Sequence, residues 1–205
     1  MLGFNTTSQG AFKRHGQDQG DTTMVTTTLV TAIDLARMGA RGERFELIRG
    51  ELKEMSPVGD DHALVVTNCA RHFGNFIDEA QLGRLYTGDP GIFLERNPDT
   101  VRAPDLAFVR AERLPLPPSE SSFIALIPDA ILEVVSPYDK MQELDEKIAA
   151  FLARRALVAL KINPRPRTVT IYRTGQPPVV LRDTDDLVIE DVFPGLRLPI
   201  ARLFE

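Results

Sequence analysis

The chain is poor in three things that would each have narrowed its function at once. It has a single cysteine, Cys69, so no internal disulfide can form, and that usage suits a reducing, cytoplasmic setting. It has no apolar run of about 18 residues, which excludes a transmembrane helix and leaves no membrane partner to expect. It has no basic excess: the formal net charge is −5, so no global positive field marks a nucleic-acid binder and any such contact must use a local patch. Residues 1–28 lack the apolar stretch of a signal peptide. They read as a polar, disordered arm or a start placed too early, with Met24 as an alternative initiator. Internal repeats and low-complexity tracts are also missing from the rest.

The sequence does contain enough apolar material for a core: 43% of its 205 residues are hydrophobic. From residue 29 onward the pattern fits one domain, 29–205. Leu29 to Met38 suggests a short helix stopped by Gly39 and Gly42. Phe45–Ile48 and Glu51–Met55 alternate around Arg49-Gly50, a hairpin signal. A helix from Asp60 or Asp61 to about Ala80 carries the stripe His62, Val66, Cys69, Phe73, Phe76 and Ala80. Strands are expected at Arg84–Thr87, Gly91–Glu95, Asp105–Arg110, Ile131–Val135 and Leu157–Ile162, with a second hairpin over Thr168–Arg173 and Val179–Leu181. Asp139 is a fair cap for a helix from Lys140 to about Arg155, and a short helix ends the chain. Helices interleaved with hairpins and strands indicate an α/β fold with a mixed central sheet.

Two acids stand out because strands of this kind bury them. Glu133 lies inside the run Ile131-Leu132-Glu133-Val134-Val135, and Asp105 opens Asp105-Leu106-Ala107-Phe108-Val109. Carboxylates are almost never fully buried unless paired, and a buried pair of them invites a cation. Strand alternation puts Asp105, Ala107 and Val109 on one face, and Ile131, Glu133 and Val135 together on theirs. On neighbouring strands the two acids can hold a hard cation such as Mg²⁺, with the Val134 carbonyl as a further oxygen. Lys147 lies beside the helix stripe Met141, Leu144, Ile148, Phe151 and Leu152, from where it can reach the sheet. A lysine there can orient or deprotonate a water, or neutralise charge in a phosphoryl transition state. Blander readings exist for each residue. Asp105 can face solvent after Pro104, Glu133 can pair with an arginine such as Arg102, and Lys147 can be a solvated helix lysine. His62 reads as a helix-start residue, Cys69 as core and Glu51 as an exposed strand acid.

Several strings occur together in a recognisable order: Phe45-Glu46-Leu47-Ile48-Arg49-Gly50-Glu51-Leu52, Met55-Ser56-Pro57 with His62, and Val101-Arg102-Ala103-Pro104-Asp105-Leu106. They are followed by Pro128 through Pro137, then Asn163-Pro164 through Arg173, then Phe193-Pro194-Gly195-Leu196. In this order they resemble the Uma-two type restriction endonuclease family, a branch of the PD-(D/E)XK nuclease superfamily, over about residues 29–204. The resemblance implies a restriction-endonuclease-like core, with Asp105 and Glu133 as the metal-binding acids. It also implies Lys147 as a lysine displaced to the helix from the usual place two residues after the second acid, here Val135. Glu51 matches the branch's upstream acid, as a catalytic residue that assists at the metal directly or through water, and His62 matches its usual histidine. Phe151 stands where the branch often has tyrosine. The function so implied is Mg²⁺-dependent hydrolysis of DNA phosphodiester bonds, with Mn²⁺ as a possible substitute, by a homodimer. Arg41, Arg44, Arg49, Arg71, Arg84, Arg102, Arg154, Arg155, Lys161, Arg165 and Arg167 are available for a local DNA patch. The alternatives are an inactive nuclease-derived module that binds DNA or protein, and a structural homodimer whose acids are only ion-paired.

Overall fold

The computed structural model describes residues 29–119 and 121–205; the expected arm at 1–28 lies outside the described residues. The first helix, α1 (Ala32–Gly39), starts at Thr31, whose hydroxyl accepts from the Asp34 N–H while the Asp34 carboxylate accepts from the Thr31 N–H. This reciprocal capping box satisfies donors that the first turn would leave free. Strands β1 (Phe45–Ile48) and β2 (Glu51–Glu54) pair antiparallel with Ile48 opposite Glu51. The two linking residues, Arg49 and Gly50, both have positive φ, as the tight turn of a two-residue hairpin requires.

Helix α2 (Asp60–Glu79) leads to β3 (Gly83–Thr87), β4 (Ile92–Glu95), β5 (Thr100–Arg102), β6 (Leu106–Arg110) and β7 (Ala130–Val134). Helix α3 (Met141–Ala153) follows, then β8 (Val158–Asn163), β9 (Thr168–Tyr172), β10 (Val179–Arg182), β11 (Asp186–Leu187) and β12 (Leu198–Pro199). A 3₁₀ turn over Ile200–Phe204 closes the chain. The central sheet has six strands in the order β10-β9-β8-β7-β6-β3, and only β7 and β8 run parallel. A parallel pair needs a crossover, and α3 supplies it. A four-stranded sheet, β2-β1-β5-β4, stands beside it. The architecture is therefore the α/β fold with a mixed central sheet and added hairpins that the sequence implies.

Period-two alternation divides the central strands between two cores. Leu106, Phe108, Leu132 and Leu160 pack with Val65, Cys69, Phe73 and Ile77 of α2 and with Phe193 from the C-terminal segment. Ala107, Ile131 and Ala159 face the other way, onto Leu144, Ile148 and Phe151 of α3. Because both faces are covered, β7 is buried at every residue, which is why its sequence is a near-continuous apolar run.

Several boundaries differ from the sequence expectation. β5 was not expected: three residues between Pro98 and Pro104 are too short for a pattern, and they form a strand only because β1 and β4 flank them. Asp105 sits one residue before β6 rather than opening it. Asp139 does not cap α3; its carboxylate accepts from the Ser136 N–H, and Lys140 occupies the cap position without a side-chain bond. On α2 the buried stripe runs through Val65 and Ile77, leaving Val66 and Phe76 half-buried. No helix among the described residues is long and apolar enough to cross a membrane.

Phe108 is fully buried, with its ring centroid 4.9 Å from that of Phe193. Phe108→Ala is expected to cost about 3–5 kcal/mol through lost burial and the cavity left behind. Urea titration of the purified variant checks this.

Candidate active site

The register of β6 and β7 builds the centre of the site. Leu106 pairs with Leu132 and Ala107 with Ile131, so one step further along places Asp105 opposite Glu133. The Val134 N–H donates to Asp105 Oδ2 at 2.6 Å, replacing the ladder bond that would continue the strand. The other oxygen, Oδ1, lies 3.3 Å from Nε2 of His62 in the first turn of α2. Asp105 is therefore fixed from two sides, by the backbone of β7 and by a buried imidazole.

Glu133 lies on the opposite face from α2, beneath α3. There Lys147 Nζ lies 2.8 Å from Glu133 Oε1 and 3.1 Å from Glu46 Oε1, and it donates to the Ala103 carbonyl at 2.7 Å. Glu46, on β1, also accepts from the Ala103 N–H at 2.8 Å and faces Arg102 Nε at 3.0 Å. Glu46, Arg102, Glu133 and Lys147 are all buried. Glu133 therefore pairs with Lys147, and Arg102 with Glu46, which removes the expectation of a Glu133–Arg102 bridge.

Charge is distributed unevenly across this set. Burial alone would raise Glu46, but Lys147 and Arg102 outweigh it and hold its carboxyl below the ordinary range. Burial alone would discharge Lys147, but Glu133 and Glu46 outweigh that and hold its ammonium above the ordinary range. For Glu133 burial wins: with Asp105 and Glu46 adding repulsion, its carboxyl is pushed up to about 8 despite Lys147. One ammonium between two carboxylates cannot neutralise both, and Glu46 has the second cation and the extra N–H. Glu133 is therefore the member that takes a proton. His62 is pulled down by burial but raised overall by the hydrogen bond and charge of Asp105.

These residues open into a cleft of about 520 Å³ that Val134 also lines. Of the residues implicated by sequence, the structure brings together Asp105, Glu133, Val134, Lys147 and His62. Glu51 does not join them. It is exposed at the turn end of the β1–β2 hairpin and lies outside the lining of the cleft. The hairpin contributes Glu46, three residues before that turn, and Glu54 at the far end of β2, and Glu46 is the one that meets Lys147. The Glu46 signal was present in the sequence: an acid inside Phe45-Glu46-Leu47-Ile48 is anomalous, as Glu133 is in its own run. The proposed basic patch is also dispersed. Of its members only Arg44 and Arg102 line the cleft, and Arg41, Arg154, Lys161 and Arg167 are engaged by Glu43, Glu95, Asp145 and Asp183. Glu46, Glu54, Asp89, Asp105, Glu133, Asp139 and Glu143 outnumber Arg44, Lys53, Arg102, Lys140 and Lys147 in the lining.

The donor set fits a hard divalent cation. No cluster of three or more histidines, cysteines and acids forms a metal cage among the described residues. Mg²⁺ does not need one, since it commonly keeps waters and takes one or two carboxylates together with substrate oxygens. Glu133 Oε1 is buried without a hydrogen-bond partner of good geometry, even though Lys147 is near. Asp105 and Glu133 stand opposite one another in register and repel, with one shared lysine beside Glu133, and a divalent cation would offset the negative charge that remains.

An α/β core with two acids and a lysine gathered at one end of its central sheet has the architecture of restriction-endonuclease-like proteins. The chain belongs to the Uma2 family, described as "Putative restriction endonuclease", whose profile matches residues 33–201. In fold it is similar to a crystal structure described as a putative nuclease belonging to DUF820 from Anabaena variabilis. That similarity has a TM-score of 0.72 at 20% identity, covering 85% of this chain and 97% of the other. No curated protein matches the sequence.

Two outcomes follow from the buried charges. Lys147→Met leaves Glu46 and Glu133 without their shared cation and is expected to destabilise by about 3 kcal/mol, at the low end for a broken buried pair because Glu46 keeps Arg102. Folded Glu133 keeps a proton that the unfolded chain releases near its ordinary value of 4.5. The unfolded state therefore binds fewer protons, and metal-free stability must fall as pH rises from about 4.5 to about 8. Glu133→Gln is expected to flatten that slope, leaving the fall above about pH 6.5 from the raised His62 and an opposing rise below it from the lowered His72. Thermal melts across that pH range, in chelator, measure both.

Proposed function

We propose that this protein is a divalent-metal-dependent endonuclease that hydrolyses DNA phosphodiester bonds, with Mg²⁺ as its ordinary ion and Mn²⁺ as a substitute. The observation that carries the reading is the register that sets Asp105 opposite Glu133, with the Lys147 ammonium 2.8 Å from Glu133. Family membership supports nuclease chemistry and the use of a divalent metal. Asp105, Glu133 and the Val134 carbonyl would hold the ion, which when bound supplies Lewis-acid stabilisation of charge on the phosphoryl oxygens.

The remaining roles fall to the chain's own groups. In the metal-free protein, against burial, Glu133 and Glu46 hold the Lys147 ammonium above the ordinary lysine range, so it enters the site as a cation. Its three N–H groups already face Glu133, Glu46 and Ala103, so it acts through its charge, offsetting negative charge as it develops on the phosphate, and would reach the attacking water only where Glu133 has turned from it toward a bound metal. Glu46 and Ala103 fix where that ammonium points. His62 and the Val134 N–H fix the Asp105 carboxylate. Glu46, rather than Glu51, is the acid of β1–β2 beside Lys147 and acts as a positioning residue for it. Residues 29–205 act as one nuclease-like domain, and the single cysteine is in keeping with a cytoplasmic protein.

The test is cleavage of plasmid and linear DNA with Mg²⁺ or Mn²⁺ and with EDTA. Cutting is expected only with metal. Asp105→Asn and Glu133→Gln are each expected to reduce it by more than the roughly 10–100-fold that loss of an outer-shell partner costs. Retained cutting in either variant would remove that residue from the reaction.

A homodimer is the expected assembly. β10 is an outer strand of the central sheet with Val179 52% and Val180 54% exposed, and two such edges can pair about a twofold axis. Sedimentation should give about twice the 22.8 kDa chain mass, and Val180→Lys should return it to the monomer value.

A further inference from the structure

The cleft has an unusual electrostatic balance for something that must hold a polyanion. Each cation that lines it already faces a carboxylate: Arg44 faces Asp89, and Lys53 and Lys140 both face Glu143. Arg102 and Lys147 face Glu46. Phosphate-driven affinity comes from cations that neutralise the backbone and release its counterions. A duplex, offering only its phosphate rails and grooves, gains little from such a lining.

The same cleft carries one large group with no partner. Tyr138 lines it and is 88% exposed, the most exposed of the large hydrophobic side chains among the described residues. It is not on a loose loop. Ser136-Pro137-Tyr138-Asp139 is a tight turn closed by Asp139 N–H donating to the Ser136 carbonyl at 3.1 Å and by Ser136 N–H donating to Asp139 Oδ2 at 2.7 Å. Proline in its second position presets the backbone of such a turn. The turn begins directly after the Glu133 strand, so the backbone that carries the ring stands at a defined place beside the candidate metal acids. Val58, 49% exposed, lines the same cleft and extends the apolar surface.

Resting on the nuclease reading above, we propose that Tyr138 is a stacking platform for an unpaired base, and that the cleft takes single-stranded or frayed DNA in preference to an intact duplex. Only an unstacked base offers a free π-face to the ring. Stacking tolerates any base, because every base has a π-face. An unpaired strand is also flexible enough to lay one phosphate at Asp105 and Glu133 while a neighbouring base rests on Tyr138. Tyr138 is then a substrate-specificity residue rather than a group that takes part in bond cleavage.

The test is binding without cutting, so that it stands apart from the nuclease reading. Fluorescence anisotropy of a labelled 12-mer is measured as a single strand and as a duplex, at one fixed ionic strength in EDTA, with the full-length protein. The single strand is expected to bind more tightly than the duplex. Tyr138→Ala should weaken single-strand binding by about 5- to 150-fold and leave duplex binding within about twofold, while Tyr138→Phe, which keeps the ring, should stay near wild type. Equal single-strand affinity in Tyr138→Ala, tighter binding of the duplex, or no measurable single-strand binding would each overturn the proposal. Failure of metal-dependent cleavage with the Tyr138 effect intact would instead overturn only the nuclease reading.

Discussion

The rest of this molecule depends on one buried ammonium. Lys147 has its charged end under α3, largely shielded from water at the floor of the cleft, and meets three oxygens there: those of Glu133, Glu46 and Ala103. Taking an ammonium out of water costs several kcal/mol even after relaxation, and only well-placed oxygens recover it. Those oxygens come from β7, from β1 and from the link between β5 and β6. One cation therefore ties the central sheet, the neighbouring sheet and the crossover helix to one another. The four-stranded sheet is held at its observed place partly because Glu46 must reach this point.

The same arrangement explains why the site is anionic. Glu46 has two cations and a backbone N–H, Glu133 has a half share of one cation, and Asp105 has a backbone N–H and a histidine. In the metal-free protein a proton on Glu133 relieves the imbalance. A divalent ion would relieve it better, by serving Asp105 and Glu133 together. Proton and metal then compete for one carboxylate, so metal affinity should weaken as pH falls.

Much of this was legible in the sequence, and for a physical reason. A carboxylate inside a strand buried on both faces is a costly choice, so Glu133 announces itself, and Asp105 follows from the adjacent strand. Lys147 was legible as a polar residue beside a helix stripe. Glu46 carries the same signal more faintly, because β1 is only four residues long and its burial comes from β5, a strand with no pattern of its own. Asp139 was misread for a similar reason. An acid before a helix usually caps it, but here the turn after β7 claims the carboxylate first. Local pattern locates charges that are costly to bury; it does not say which neighbour arrives to bury or bind them.

The displaced lysine shows how the two levels combine. The superfamily pattern implied by the resemblance would place the lysine at residue 135, on the same strand face as Glu133 and about 6.6 Å further along. Here that position is Val135, buried with Leu144 and Ile148 against α3. A lysine there would have to bury its stem where an aliphatic side chain now packs and turn its ammonium back along the strand. Supplying the cation from α3 avoids both demands. Lys147 lies between Leu144 and Ile148 on the buried side of the helix, so its stem passes through the apolar layer and only its nitrogen enters the polar one. The strand is free to remain a packing strand, and the charge arrives from above. The chemistry asks only that an ammonium stand beside the second acid, and the fold meets that requirement with a different piece of backbone.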